Sequence, residues 1–301
     1  TVIDITQDTW LDEIVQFCPT MLLLKPSGRT SLFRELYMER LDILVNDLGY
    51  NTYPSYDEVR IYENKRFFSY WAKAHNIPHP ETKVFYNKQE ACGWLSNSSF
   101  PIVAKLNIGA SSNGVRIIST KKEAVKYLNK IFSSGVSSKT GPKLGKGNLI
   151  ERLWKKLRNR GELIHKMKLY YDIHSDKQRG FVVFQEFIPH EYEWRVVRIG
   201  ESFFAHKKLR RGSFASGSLL KDYGNPPLSL LDFVKTITDK FKFKSVAVDI
   251  FYDDTRGYLI NEIQCIFGQS DQYQMLVNGK PGRYFYQKNK WIFEEGLFNT
   301  N

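Results

Sequence analysis

Apolar and polar positions recur along this chain with two different periods, and each switch between them marks an element. Met21 to Leu24 reads as a buried strand, and Ser31 to Leu48 recurs with helical spacing until Gly49 closes it. Glu63 to His75 predicts a second helix, stopped by Ile77-Pro78-His79-Pro80, where proline supplies no amide hydrogen. A strand at Thr82 to Tyr86 and a helix at Lys88 to Leu95 complete a first lobe, residues 1–95. Strand-like runs follow at Phe100 to Leu106 and Val115 to Ser119, on either side of a glycine- and serine-bearing loop. Lys121 to Phe132 then alternates like a helix. A polar stretch from Ser133 to Asn148 reads as a long loop leading into a basic helix, Leu149 to Lys168.

Three β-rich runs come next, Gly180 to Ile188, Trp194 to Ile199 and Ser202 to Leu209, the last two joined by Gly200-Glu201 as a tight hairpin. A helix at Leu228 to Phe241 precedes two strands, Ser245 to Tyr252 and Tyr258 to Ile266. This mixture predicts an α+β protein with three parts, residues 1–95, 96–190 carrying an insertion at 133–168, and 191–301.

Composition narrows the classes. Of 301 residues, 42% are apolar and 15% aromatic, enough for packed cores and too much for a disordered polar chain. No apolar run approaches the ~20 residues a bilayer crossing needs, and no charged leader precedes Met21. Cys18, Cys92 and Cys265 are scattered, so reduced thiols and a cytoplasmic setting are expected rather than a disulfide framework. The net charge of +12 favours anionic partners.

The final hairpin carries the strongest chemistry. Asp249 lies inside an apolar strand, where an unpaired carboxylate costs several kcal/mol to bury. Across the turn, period-two alternation puts Glu262 and Gln264 on one face. Pairing Tyr252 near Tyr258 sets Asp249 opposite Asn261 and diagonal to Glu262. Such converging oxygens suit a hard cation whose other sites are filled by phosphates. A hairpin with ordinary surface acids has the same local pattern, so these residues alone leave both readings open.

Lys105 ends a buried strand, and Gly109 to Gly114, with Ser111, Ser112 and Asn113, offers amide hydrogens and hydroxyls to an anion. Val115 stands where a Walker A loop needs lysine, so the loop is of another kind. Gln185-Glu186-Phe187-Ile188 ends a strand at Pro189, leaving backbone groups that can read an adenine edge. Arg195, Lys207, Lys208, Arg210 and Arg211 place cations on neighbouring strands, suited to a transferring phosphoryl group or, equally, to a solvated basic strand. No zinc-protease histidine pair, nucleophile elbow or dinucleotide loop occurs.

In order and spacing, Glu63 to Gly268 resembles the ATP-grasp superfamily. The resemblance is to its ribosomal-protein S6, lysine-biosynthesis and glutathione synthetase types of carboxylate–amine ligase. It implies two α/β subdomains clamping ATP behind a small α/β lobe. It also implies an ATP-contacting lysine at Lys65 after Asn64, a strand lysine at Lys105 before a glycine-rich lid, an adenine hinge at Gln185 to Ile188 and a ribose contact at Glu193. Arg195, Lys207 and Arg210 become the catalytic cations, and Asp249, Glu262 and Gln264 the Mg2+ ligands, with Gln264 where asparagine is usual.

The implied reaction phosphorylates a carboxylate with ATP and lets an amine displace phosphate. A small-molecule or polyphosphate kinase on the same fold stays open, and so does a nucleic-acid binder, although carboxylates in its groove would not help it. Lys139 to Lys168 carries ten lysines and arginines against Glu151 and Glu162, an excess that fits an acidic sugar polymer or peptide substrate or simply a solvated face.

Overall fold

The computed structural model describes residues 1–26, 30–109, 114–138, 171–210, 220–268 and 271–298. The basic run Lys139 to Lys168, Arg211 and the loop residues Ser111, Ser112 and Asn113 lie outside the described residues.

The N-terminal lobe holds α1 (Trp10–Phe17), β1 (Leu22–Leu23), α2 (Ser31–Asp42, continued as a π-helix over Ile43–Asp47), β2 (Thr52–Tyr53) and α3 (Tyr56–Ile61). Strands β1 and β2 run parallel. Its small core of Tyr37, Leu41 and Val59 closes on Cys265, far along the chain. Helix α3 starts on a capping box between Ser55 and Glu58, which satisfies orphan amides at the helix end. The same Glu58 carboxylate accepts the amides of Lys244 and Ser245 at 2.9 and 3.0 Å, tying the lobe to the largest sheet.

Helix α4 (Lys65–Ala74) is capped by Asn64, whose side chain accepts the Phe67 amide. It is followed by β3 (Thr82–Phe85), α5 (Lys88–Ser96), β4 (Ile102–Lys105), β5 (Val115–Ile118), α6 (Lys121–Ile131) and β6 (Val182–Glu186). The four strands form an antiparallel sheet in the order β3-β6-β4-β5. Phe85, Ala91 and Leu95 share its core with Ile102, Ile118, Leu128 and Phe184. Here the structure corrects the division at residue 95. Thr82 pairs with Gln185, a partner one hundred residues away, so β3 and α5 belong to the second body.

The largest sheet uses β7 (Tyr192–Ile199), β8 (Ser202–Leu209), β9 (Lys221–Asp222), β10 (Ser245–Asp253), β11 (Gly257–Gln264), β12 (Leu276–Val277), β13 (Lys280–Gln287) and β14 (Lys290–Glu295). Its main path is β11-β10-β7-β8-β13-β12. Val196, Val248 and Ile250 face a core closed by Phe68 and Ala72 of α4 and by Leu230, Leu231 and Val234 of α7 (Leu228–Lys240). The opposite face carries charge. Strand β11 is not left as a bare edge, since Ile260 donates to the Pro78 carbonyl at 2.8 Å. Among the described residues no helix is long and apolar enough to cross a membrane.

Candidate active site

Strand register builds the floor of the cleft. Asp249 on β10 stands between Arg195 of β7 and Glu262 of β11, while Lys208 of β8 stands opposite Glu193 and His206 opposite Arg195. The sequence placed Asn261 opposite Asp249. In the structure Ile250 pairs with Ile260 and Asp249 with Glu262, so Asn261 is the extra residue of a β-bulge. Bulges re-aim side chains. This one brings the Asn261 amide oxygen to the Lys105 ammonium at 2.8 Å.

Asp249 is 1% exposed and needs compensation. Arg195 grips it with two bonds, Nε to Oδ1 at 2.7 Å and Nη2 to Oδ2 at 2.9 Å, and Lys208 donates to Oδ2 at 2.7 Å. Burial alone would push the Asp249 carboxyl up, but these two cations hold it well below the usual carboxylate range. Lys208 also reaches Glu193 at 3.0 Å, and Arg195 reaches the Gln264 oxygen at 3.3 Å. His206, buried beside them, donates through Nδ1 to the Gln274 carbonyl at 3.0 Å. Burial and nearby cations lower its pKa to about 4.

The facing wall comes from the smaller sheet. Lys105 ends β4 with its side chain buried, and that burial lowers its pKa to about 8 against the pull of Glu262. Lys65, at the first turn of α4, donates to the Gly109 carbonyl at 2.7 Å and approaches Glu63 and Glu262 at 3.7 and 3.9 Å. Glu63 is 2% exposed at a left-handed φ of 51°, and burial raises its pKa. Gly109 takes φ 142°, and a Cβ on Gly114 would meet Leu106 at 2.9 Å, so both positions need glycine. Four cations (Lys65, Lys105, Arg195, Lys208) thus meet four carboxylates (Glu63, Glu193, Asp249, Glu262).

At the hinge, strand pairing stops at Glu186. Gln185 turns inward to Thr82 Oγ1 at 2.9 Å, and Glu186 accepts the Glu81 amide at 2.6 Å and Arg256 Nη1 at 2.6 Å. Ile188 packs with Phe251 and Leu259, an apolar seat on the same face as Asp249. Phe187 is partly exposed between them.

Two sequence-assigned cations stand elsewhere. Lys207 pairs with Trp194 and so points to the opposite face, 3.3 Å from Asp222 and 4.7 Å from the Tyr192 ring centroid. The period of two gives the cleft position to Lys208. Arg210 lies at the hinge end, its Nη1 3.4 Å from the His190 carbonyl, and not beside Arg195. Sequence reasoning also passed over Glu63 and His206. The alternation of β8 could have found Lys208 and His206. Nothing local marks Glu63, whose neighbours are distant in the chain.

The oxygens suit a hard cation unequally. Among the described residues, Glu262 meets a cation no closer than 3.9 Å and Gln264 receives one long bond, so both keep lone pairs for a ligand. Asp249 already accepts three short bonds and acts first as the anchor of Arg195 and Lys208.

Residues 63–151 match the family model described as phosphoribosylglycinamide synthetase, ATP-grasp (A) domain. Over 80 residues the chain is 30% identical to the Homo sapiens trifunctional purine biosynthetic protein adenosine-3. That stretch is 26% of this chain and 8% of the relative, so the chain spans a small part of the relative's length. Among solved structures, the ADP complex of N5-carboxyaminoimidazole ribonucleotide synthetase aligns at TM-score 0.56 and 10% identity, over 90% of this chain and 59% of that one. The D-alanine–D-alanine ligase of Bacillus anthracis aligns at 0.50 and 14% identity, over 86% and 74%. A RimK domain ATP-grasp protein of Sphaerobacter thermophilus aligns at 0.50 and 14% identity, over 83% and 75%. Identities this low establish a shared fold.

Proposed function

This chain has the ATP-grasp fold, and from that premise we propose that it is an ATP-dependent carboxylate–amine ligase working through an acyl phosphate. The observation that carries the reading is the meeting of Lys105, from the smaller sheet, with Asn261 and Glu262 of the larger one, directly over the Asp249–Arg195–Lys208 network. Adenine would rest on Ile188, Phe251 and Leu259, with its edge read by backbone groups just beyond Glu186, where strand pairing ends. Lys65 and Lys105 would neutralise phosphate oxygens, and Gly109 and Gly114 would frame the covering loop. Ser111, Ser112 and Asn113 belong to the same proposal by sequence.

Glu262 and Gln264 would hold Mg2+, joined by Asp249 only if Lys208 or Arg195 turns to a phosphate. Bound there, the ion would neutralise phosphate charge and orient the terminal phosphoryl group. A carboxylate oxygen then attacks the γ-phosphorus and ADP leaves. The amine attacks the acyl carbon, phosphate leaves, and the amine gives up a proton. Arg195, fixed by Asp249, is placed to stabilise charge on the transferring group. Lys207 faces away from this chemistry, and Arg210 serves the hinge end. We propose a cytoplasmic setting, consistent with three free thiols at Cys18, Cys92 and Cys265, and recruitment of an anionic sugar polymer or peptide by residues 139–168.

The test is to incubate the chain with Mg-ATP, a carboxylate library and hydroxylamine, which traps acyl phosphates. Hydroxamate formed together with ADP supports the ligase. ADP with a stable phosphorylated product and no hydroxamate would assign a kinase instead.

A further inference from the structure

Residues 176–178 run from the N-terminal lobe to the base of the glycine loop, held by hydrogen bonds at both ends. Asp176 Oδ2 accepts the Ser31 amide at 2.8 Å and the Ser31 hydroxyl at 3.1 Å, at the first turn of α2. Two residues on, Gln178 exchanges backbone bonds of 3.0 and 3.1 Å with Val136. Both ends of its side chain are then used. Nε2 donates to the Phe181 carbonyl at 3.1 Å, and Oε1 accepts the Asn107 amide at 2.7 Å. A carbonyl can only accept and a backbone amide can only donate, so these two partners fix the orientation of the Gln178 amide.

Asn107 is where the glycine loop and helix α4 meet. Its carbonyl accepts the Lys65 amide at 3.2 Å, and its side-chain oxygen accepts the Arg66 amide at 2.8 Å. Amides of a first helical turn have no partner inside the helix, so Asn107 supplies what α4 lacks. On the loop side, the Leu106 amide donates to the Gly114 carbonyl at 2.7 Å, and Lys65 Nζ reaches the Gly109 carbonyl at 2.7 Å. Lys65, Asn107 and both ends of the loop thus form one bonded unit. The ladder of β4 stops at Lys105, so the Asn107 amide lies beyond it and depends on Gln178 for its acceptor.

We propose that Gln178 is a positioning residue for phosphate binding, setting the glycine loop and Lys65 in place without touching the nucleotide. The inference rests on the nucleotide reading above and adds to it a residue outside the cleft, 71 positions along the chain from the amide it holds. Adenine would sit at the other end of the cleft, on Ile188, Phe251 and Leu259, which share no bond with this unit. Gln178 therefore acts on the phosphates and not on the base.

Calorimetric titration of the full chain with Mg-ATP, beside ligand-observed NMR of adenosine, tests this. Gln178→Met keeps the length of the side chain and removes the acceptor. Mg-ATP affinity should fall by about 5- to 10-fold, as for the loss of one hydrogen bond, while adenosine binds as it does to wild type. Gln178→Glu keeps an oxygen toward Asn107 and should recover most of the loss. A side chain that merely stabilised the fold would weaken both ligands alike and would not be rescued by glutamate. Asp176→Ala releases α2 but leaves Gln178 on Val136, and should hold Mg-ATP affinity within about twofold. Unchanged Mg-ATP affinity in Gln178→Met overturns the inference and leaves the nucleotide site standing. Parallel loss of adenosine, failure of Gln178→Glu to rescue, or an equal loss in Asp176→Ala also overturns it, assigning the effect to packing of the segment. If wild type binds no Mg-ATP, the functional reading fails and this one with it.

Discussion

Replacing Asp249 with asparagine separates two roles for this residue. If Asp249 were chiefly a metal ligand, Asp249→Asn would silence turnover and spare the fold. The structure gives it a structural charge to carry. The carboxylate is 1% exposed and accepts three bonds of 2.7–2.9 Å from two cations, one of them the bidentate Arg195. Asparagine has the same shape but no charge, and its amide nitrogen turns hydrogens toward a guanidinium or an ammonium. Arg195 then loses both of its bonds to Asp249, while Lys208 keeps its bond to Glu193. Breaking a buried pair from one side costs about 3–5 kcal/mol. For a chain of this size that lowers Tm by roughly 5–8 °C. Thermal denaturation at neutral pH reads the shift directly.

A double-mutant cycle then isolates the cause. Asp249→Asn with Lys208→Met removes one carboxylate and one cation together, so the pair should cost less than the sum of the single changes by about 1–3 kcal/mol. A Tm shift under 2 °C for Asp249→Asn, or strict additivity, would refute the reasoning.

Three other outcomes follow from the same site. Burial lowers the Lys105 pKa to about 8, and bound phosphates would raise it; nucleotide binding at pH 8 should therefore take up about half a proton, and affinity should fall ~10-fold from pH 7 to pH 9. Calorimetry in buffers of different ionisation enthalpy measures the uptake, and Lys105→Arg should flatten the pH profile. His206 is held neutral with a pKa of about 4 against 6.5 when free, so the unfolded chain protonates first as pH falls. Stability contributed by the neutral ring is whole above pH 6.5 and is lost on descending toward pH 4, by ~3 kcal/mol in all, and denaturant titrations of His206→Gln should lack that slope. Finally, Lys208→Met should weaken ATP binding and lower Tm, whereas Lys207→Met, on the opposite face, should leave ATP binding within twofold.

The fold was readable wherever one period held. Ser202–Leu209 coincides with its sequence assignment, and β10 and β11 differ by a residue or two at their ends. The hairpin of β13 and β14 was not found. Its aromatics at Tyr284, Phe285 and Tyr286 do not alternate with polar residues, and its turn uses Lys288 and Asn289 at φ 49° and 59°, without the glycine that usually announces such a turn. The division at residue 95 failed because β3 is assigned to its sheet by Gln185 and Phe184, partners no local pattern shows.

Within the site, Lys105, Arg195, Asp249 and Glu262 were legible because each interrupts an apolar strand. Lys207 came from the family resemblance, whereas the alternation of β8 sends Lys207 and Lys208 to opposite faces and gives the cleft to Lys208. The bulge at Asn261 shifts register by one residue for reasons that lie in the pairing rather than in β11 alone. Glu63 gains meaning only from what the fold sets beside it.

The central claim is that Mg-ATP binds between Lys105 and the Asp249 floor. Calorimetric titration of the intact chain with ATP, with and without Mg2+ and in parallel with Lys105→Met, tests it most directly. The account predicts one site per chain, binding that requires Mg2+, and loss of most affinity in Lys105→Met without a fall in Tm of comparable consequence. Absence of Mg-dependent binding, or an unchanged Kd in Lys105→Met, would contradict it.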